Sequence, residues 1–250
     1  MLKEFSFVGL MGLVVERMSR VVLTEIKGVM SPMPQKYFID GTHRSERWRL
    51  STHFHVVSDV PLVLTGKTVV MASVYGPLES RPQREIPDRL RVELTYQPLS
   101  GQAGVAQRGR EKLIRTACEQ ALLTQLHPRA SVNLTVQEMQ DAGGMLAASI
   151  NAACLALMDS GLSMHHPVAA VSCLVDSEGS ISVDPPHRTA DSAQLTFAFE
   201  GRQRNLVLSH CEGRVTPQKL TEALLLCRQA SGAVFEFYRT AVGRKFSKGV

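Results

Sequence analysis

Asp141, Gly143 and Gly144 stand directly ahead of a run of small and apolar residues, "DAGGMLAASINAACLALMDSG", 141–161. A glycine pair opening a helix can hold a phosphate on free backbone N–H groups. A carboxylate just before a helix start can instead cap it and meet its dipole favourably. Arginines cluster nearby in sequence: Arg81 and Arg84 in "RPQRE", Arg89 and Arg91 in "DRLR", Arg108 and Arg110 in "RGRE". The guanidinium fork suits phosphate oxygens, so these six, Arg108, Arg110 and Arg84 among them, are the candidate nucleic-acid contacts. Few aromatics accompany them, which argues against a platform for stacking bases.

Other reactive side chains lack the partners their chemistry needs. His165-His166 and the His53/His55 pair have no carboxylate or thiol at ligand spacing, so no metal site is expected. Ser149, Ser160 and Ser172 have no G-x-S-x-G setting. "LTGKT", 64–68, shares letters with a phosphate loop but lacks the upstream glycine and reads as a hairpin turn. Cys118, Cys154, Cys173, Cys211 and Cys227 are scattered with no C-x-x-C, and read as reduced thiols of an intracellular protein. No cofactor is implied.

These residues sit in a chain of 250 residues, 44% hydrophobic and 20% charged, which can bury a core without disulfides or metals. The net charge of +5 permits a nucleic-acid partner without demanding one. The opening "MLKEFSFVGLMGLVV" has the length of a signal-peptide apolar region, but Glu4 and the following "ERMSR" do not suit one. Residues 1–36, ended by Pro32 and Pro34, read as an extension, and 37–250 as a single domain. No apolar run is long enough to span a membrane, and no membrane partner is expected.

Periodicity supplies the elements. Residues 61–77 read as two strands about Gly66-Lys67, and 90–97 as a strand with Leu90, Val92, Leu94 and Tyr96 on one face. A helix is expected over 107–126, with Leu113, Ile114, Ala117, Cys118, Ala121, Leu122 and Leu126 as its apolar stripe. A strand over 131–139 precedes the helix of 143–159, which Gly161 stops; that helix is apolar almost all round and must be covered on several sides. A hairpin over 167–184, two more strands, and a helix capped by Thr216 with Pro217 first complete the pattern, before a short basic tail, "GRKFSKGV". One α/β (α+β) domain of mixed sheets and packed helices accounts for this order.

The stretches containing "VYGP" (74–77), "LHPR" (126–129) and "NAACLALMDSG" (151–161) resemble the RNase PH family, and within it the ring subunits of the eukaryotic RNA exosome; the likeness covers about 38–248. The resemblance implies the fold of ribosomal protein S5 domain 2. It also implies a place in a six-membered ring beside other PH-type subunits, RNA-binding cap subunits and RNA, in nucleus, nucleolus and cytoplasm. In relatives, the region of Arg108 and Arg110 faces the RNA channel. Active relatives use inorganic phosphate to cleave the 3′-terminal phosphodiester. Their Asp-small-Gly start is followed by a hydroxyl residue and then an arginine, where this chain has Gly144 and Met145. Their paired aspartates fall on Arg188 and Gln194, with Asp191 a possible displaced acid. The resemblance therefore implies a degenerate phosphate pocket at Gly143, Gly144 and Met145, no catalytic residue, and a structural role in 3′–5′ RNA processing. The alternative is an active phosphate-dependent exoribonuclease.

Overall fold

The computed structural model describes residues 48–51, 62–65, 68–177, 179–185 and 192–247. The expected extension, His53, His55, Arg188 and Asp191 lie outside them.

Strands β1 (Trp48–Ser51), β2 (Leu62–Thr65), β3 (Thr68–Glu79), β4 (Arg91–Gln97) and β5 (Ala130–Gln140) form a sheet in the order β1-β2-β3-β5-β4. Thr65 pairs with Thr68, so β2 and β3 make the expected tight hairpin. β4 runs parallel to β5, which requires a long crossover; helix α1 (Val105–Ala121) supplies it. The other sheet is antiparallel, in the order β7-β6-β8-β9, from β6 (Val168–Val175), β7 (Ile181–Val183), β8 (Ala193–Glu200) and β9 (Leu206–Glu212). One parallel pair among otherwise antiparallel ladders makes the fold α+β.

Helix α2 (Met145–Asp159) touches β2, β3 and β5 of one sheet, β6 and β8 of the other, and α1. Every residue from Met145 to Leu157 is buried, as the helix's all-round apolar sequence demands. Its alanines let both sheets approach, and each fully buried leucine or isoleucine contributes about 1.5–3 kcal/mol.

Two polar groups on α2 complete the second sheet. β7 covers the edge of β6 only along Cys173–Val175. Beyond it, the Asn151 amide donates to the Ala170 carbonyl at 2.9 Å and accepts from the Ala170 N–H at 2.7 Å, as a neighbouring strand would. The Val168 N–H donates to Cys154 Sγ at 3.2 Å. Helix α3 (Pro217–Ser247) packs on β6, β7 and β8, and its Tyr238 hydroxyl donates to Asn151 Oδ1 at 2.9 Å.

Two helix ends differ from expectation. α1 stops at Ala121, because Leu122 turns extended and bridges Met164, and the Leu123 N–H donates to the Ser163 carbonyl. Leu126 falls in a 3₁₀ turn and is exposed, so it leaves the stripe. α3 begins at Pro217 as expected but continues through "GRKFS" to Ser247. In β3, Gly76 has φ +136° beside a bulge, and a Cβ there would lie 3.0 Å from the Ser131 carbonyl oxygen; only glycine fits that approach.

Candidate functional site

The loop from β5 into α2 is held by the start of β3. Thr68 Oγ1 donates to the Gly143 carbonyl at 2.6 Å and accepts from the Ala142 N–H at 3.1 Å. Asp141 Oδ1 accepts from the Gly143 N–H at 3.0 Å, a side-chain turn two residues long. The expected cap is thereby corrected: the carboxylate shapes the loop one step before the helix. The N-cap is Gly144, left-handed at φ 64° and ψ 22°, with no side-chain capping bond. A Cβ on Gly144 would meet Ser172 Oγ at 2.6 Å, so loop and sheet are in close contact here.

This loop forms one wall of a cavity of about 310 Å³. Gly143, Gly144, Met145 and Leu146 line one side, Gln194 and Thr196 of β8 and His210 and Glu212 of β9 line another, and Arg110 and Asp141 complete the polar rim. The β8–β9 register pairs Gln194 with Glu212 and Thr196 with His210, so the four side chains form one cross-strand patch. His210 Nε2 lies 3.1 Å from Glu212 Oε1.

Arg110 reaches the rim from α1. Its Nη1 donates to Glu138 Oε1 at 2.9 Å, and the Tyr96 hydroxyl donates to the same oxygen. The Leu99 N–H approaches Glu138 Oε2 at 3.4 Å. Burial disfavours the Arg110 charge, but Tyr96, Glu138 and Asp141 outweigh it and hold the guanidinium above its ordinary pKa. Burial first, and Glu138 second, push the Tyr96 phenol well above its usual range. Burial also pushes the thiol of Cys154, on α2, up to about 12.

Several residues singled out in the sequence thus come together: Gly143, Gly144, Met145, Gln194 and Arg110 face one cavity. Met145 and the adjacent Leu146 are both apolar and buried, so a shift of one position along the helix start would bring in no guanidinium either. Arg108 is two residues from Arg110 on α1, hence on another face, and is exposed. Arg84 lies on the loop before β4, 3.5 Å from Glu93, away from the cavity lining. Sequence reasoning missed Glu138, Thr196, His210 and Glu212. Glu138 did carry a signal: it continues the inward row Val132, Leu134, Val136 of an alternating strand, where a carboxylate breaks the pattern.

What the cavity can do follows from its charges. Among the described residues its lining offers one guanidinium against the carboxylates of Asp141 and Glu212, and Glu138 already takes the guanidinium. It can donate and accept hydrogen bonds, but it opposes a multivalent anion. Among the described residues no group of three His, Cys, Asp or Glu side chains is placed to hold a metal ion, and no helix is long and apolar enough to cross a membrane.

Residues 62–163 match the 3′ exoribonuclease family, domain 1. The mouse exosome complex component RRP41 is 32% identical over 215 residues, 80% of this chain and 88% of that protein. The crystal structure of rice (Oryza sativa) Rrp46 superposes with a TM-score of 0.76 at 22% identity, covering 82% of this chain and 98% of the other. The Archaeoglobus fulgidus exosome with RNA bound to the active site contains a chain that superposes at a TM-score of 0.67 and 17% identity, covering 90% and 99%. With the mixed sheets, the central helix and the loop cavity in place, this chain belongs to the RNase PH family.

Proposed function

We propose that the chain is a non-catalytic structural subunit of an exosome-type PH ring, in the place of exosome component 5. It supports 3′–5′ RNA processing and turnover by helping to lead RNA to a nuclease elsewhere in the assembly. The observation that carries this reading is the cavity itself: Met145 and Leu146 at the helix start, Gln194 opposite, and, among the described residues of the lining, two carboxylates against one guanidinium. Phosphorolysis needs a phosphate held in line and a positioned acid or metal at the leaving group. Losing one charge-assisted hydrogen bond to the anion costs about 1.5–3 kcal/mol, and here the pocket supplies opposing charge as well. The ring partners on this reading are other PH-type subunits and RNA-binding cap subunits, with RNA as cargo, in nucleus, nucleolus and cytoplasm. Arg108 and Arg84, exposed and outside the cavity, are the RNA-contact candidates.

A second reading, an active phosphate-dependent exoribonuclease, is favoured by one observation: Arg110 and Asp141 do line the cavity. Native purification of the tagged chain tests the structural role. Recovery in a ring with several other PH-type chains and cap proteins supports it; recovery only as a lone monomer contradicts it.

A further inference from the structure

Glu138 is 7% exposed and stands in the apolar row of β5. A carboxylate there is tolerable only if it is paired and hydrogen-bonded. Its partners are the Tyr96 hydroxyl, Arg110 Nη1 at 2.9 Å and the Leu99 N–H at 3.4 Å. The Arg110 side chain, about one-third exposed at 33%, also lines the cavity. The buried acid and the cavity's guanidinium are therefore one unit.

We propose that Glu138 is a built-in counter-anion that determines what this cavity accepts: by holding Arg110 it closes the cavity to phosphate-bearing ligands. A ligand phosphate and the Glu138 carboxylate compete for the same guanidinium. The carboxylate is fixed in place, so it competes at an effective concentration no free ion reaches. A phosphate that displaced it would leave a buried carboxylate unpaired, and would also face Asp141 and Glu212 across the cavity. The inference rests on the inert-pocket reading and deepens it. The pocket fails to grip phosphate for two separable reasons, an apolar helix start and an occupied arginine, and the second resides in one residue.

The test is titration of the full chain with inorganic phosphate, followed by calorimetry, with folding checked by circular dichroism. Glu138→Gln keeps an oxygen for Tyr96, sets its NH2 where Oε2 met the Leu99 N–H, and removes the charge. It should bind phosphate at least about tenfold more tightly than the unaltered protein, the worth of one charge-assisted hydrogen bond. The gain should vanish in the Glu138→Gln/Arg110→Gln pair. Should Glu138→Gln fail to fold, Glu138→Leu, which restores the apolar row, makes the same comparison. Folded variants without the gain, or a gain that survives loss of Arg110, overturn the proposal. So does an unaltered protein whose phosphate affinity drops severalfold on Arg110→Gln alone. The inert-pocket reading fails separately, if the unaltered protein releases nucleoside diphosphates from RNA in the presence of phosphate.

Discussion

Replacing Asn151 by alanine removes the amide that completes the edge of β6. Two backbone groups of Ala170, which is fully buried, then lose their partners, at 2.9 and 2.7 Å. β7 reaches only Cys173–Val175, so among the described residues no strand replaces them. Each buried group left unsatisfied costs about 1–3 kcal/mol, which sums to roughly 2–6 kcal/mol. Against a total stability of about 5–15 kcal/mol this brings the protein close to its unfolding threshold. Thermal unfolding should show a fall in Tm of roughly 4–24 °C at about 2–4 °C per kcal/mol. Asn151→Asp, nearly the same shape, keeps an acceptor for the N–H but sets an oxygen against the carbonyl, and should be no milder. A loss below about 1 kcal/mol for Asn151→Ala, less than one unsatisfied group costs, would refute the account of the amide as a strand surrogate.

Other outcomes follow from burial and charge. Cys211 is the exposed thiol and the other four are buried, so a thiol reagent should label one cysteine quickly in the native state and the rest only on unfolding; two or more fast thiols would contradict these burials. Burial raises Cys154 to about 12 from an ordinary 9.0 and also raises Tyr96 and Tyr238. The folded chain therefore keeps protons that the unfolded chain releases. Stability should be full below about pH 9 and fall above it, by up to about 1.4 kcal/mol per pH unit for each such group; a flat denaturation profile across that window would count against these burials. Gly144→Ala puts a side chain at φ 64° and against Ser172 Oγ, and should cost about 1–3 kcal/mol in urea unfolding; a neutral result would mean the loop relaxes.

Much of the fold was legible because alternation and helical spacing track burial directly. The inward face of β4, the strand at β5 and the all-apolar α2 read correctly for that reason. The end of α1 did not, because a tertiary bridge between Leu122 and Met164 ends the helix, and the local apolar spacing contains no trace of it. The basic residues after Ala241 read as a tail, though good helix formers continue α3 to Ser247. At the site, Gly143, Gly144, Met145 and Gln194 could be singled out by resemblance, but their convergence with Arg110 depends on how α1 crosses from β4 to β5. The same geometry separates Arg108 from Arg110, which sequence treated as a pair. Glu138 was missed although an acid in the apolar row of a strand is a readable signal; its pairing with Arg110 was not readable, since Arg110 lies on another element.

The central claim is that the cavity performs no phosphorolysis. Its most direct test supplies the purified chain with a 3′-single-stranded RNA, inorganic phosphate and magnesium, and follows nucleoside diphosphate. The account predicts no release above a phosphate-free control, unchanged by Asp141→Asn. Phosphate-dependent release that Asp141→Asn or Arg110→Gln abolishes would contradict it.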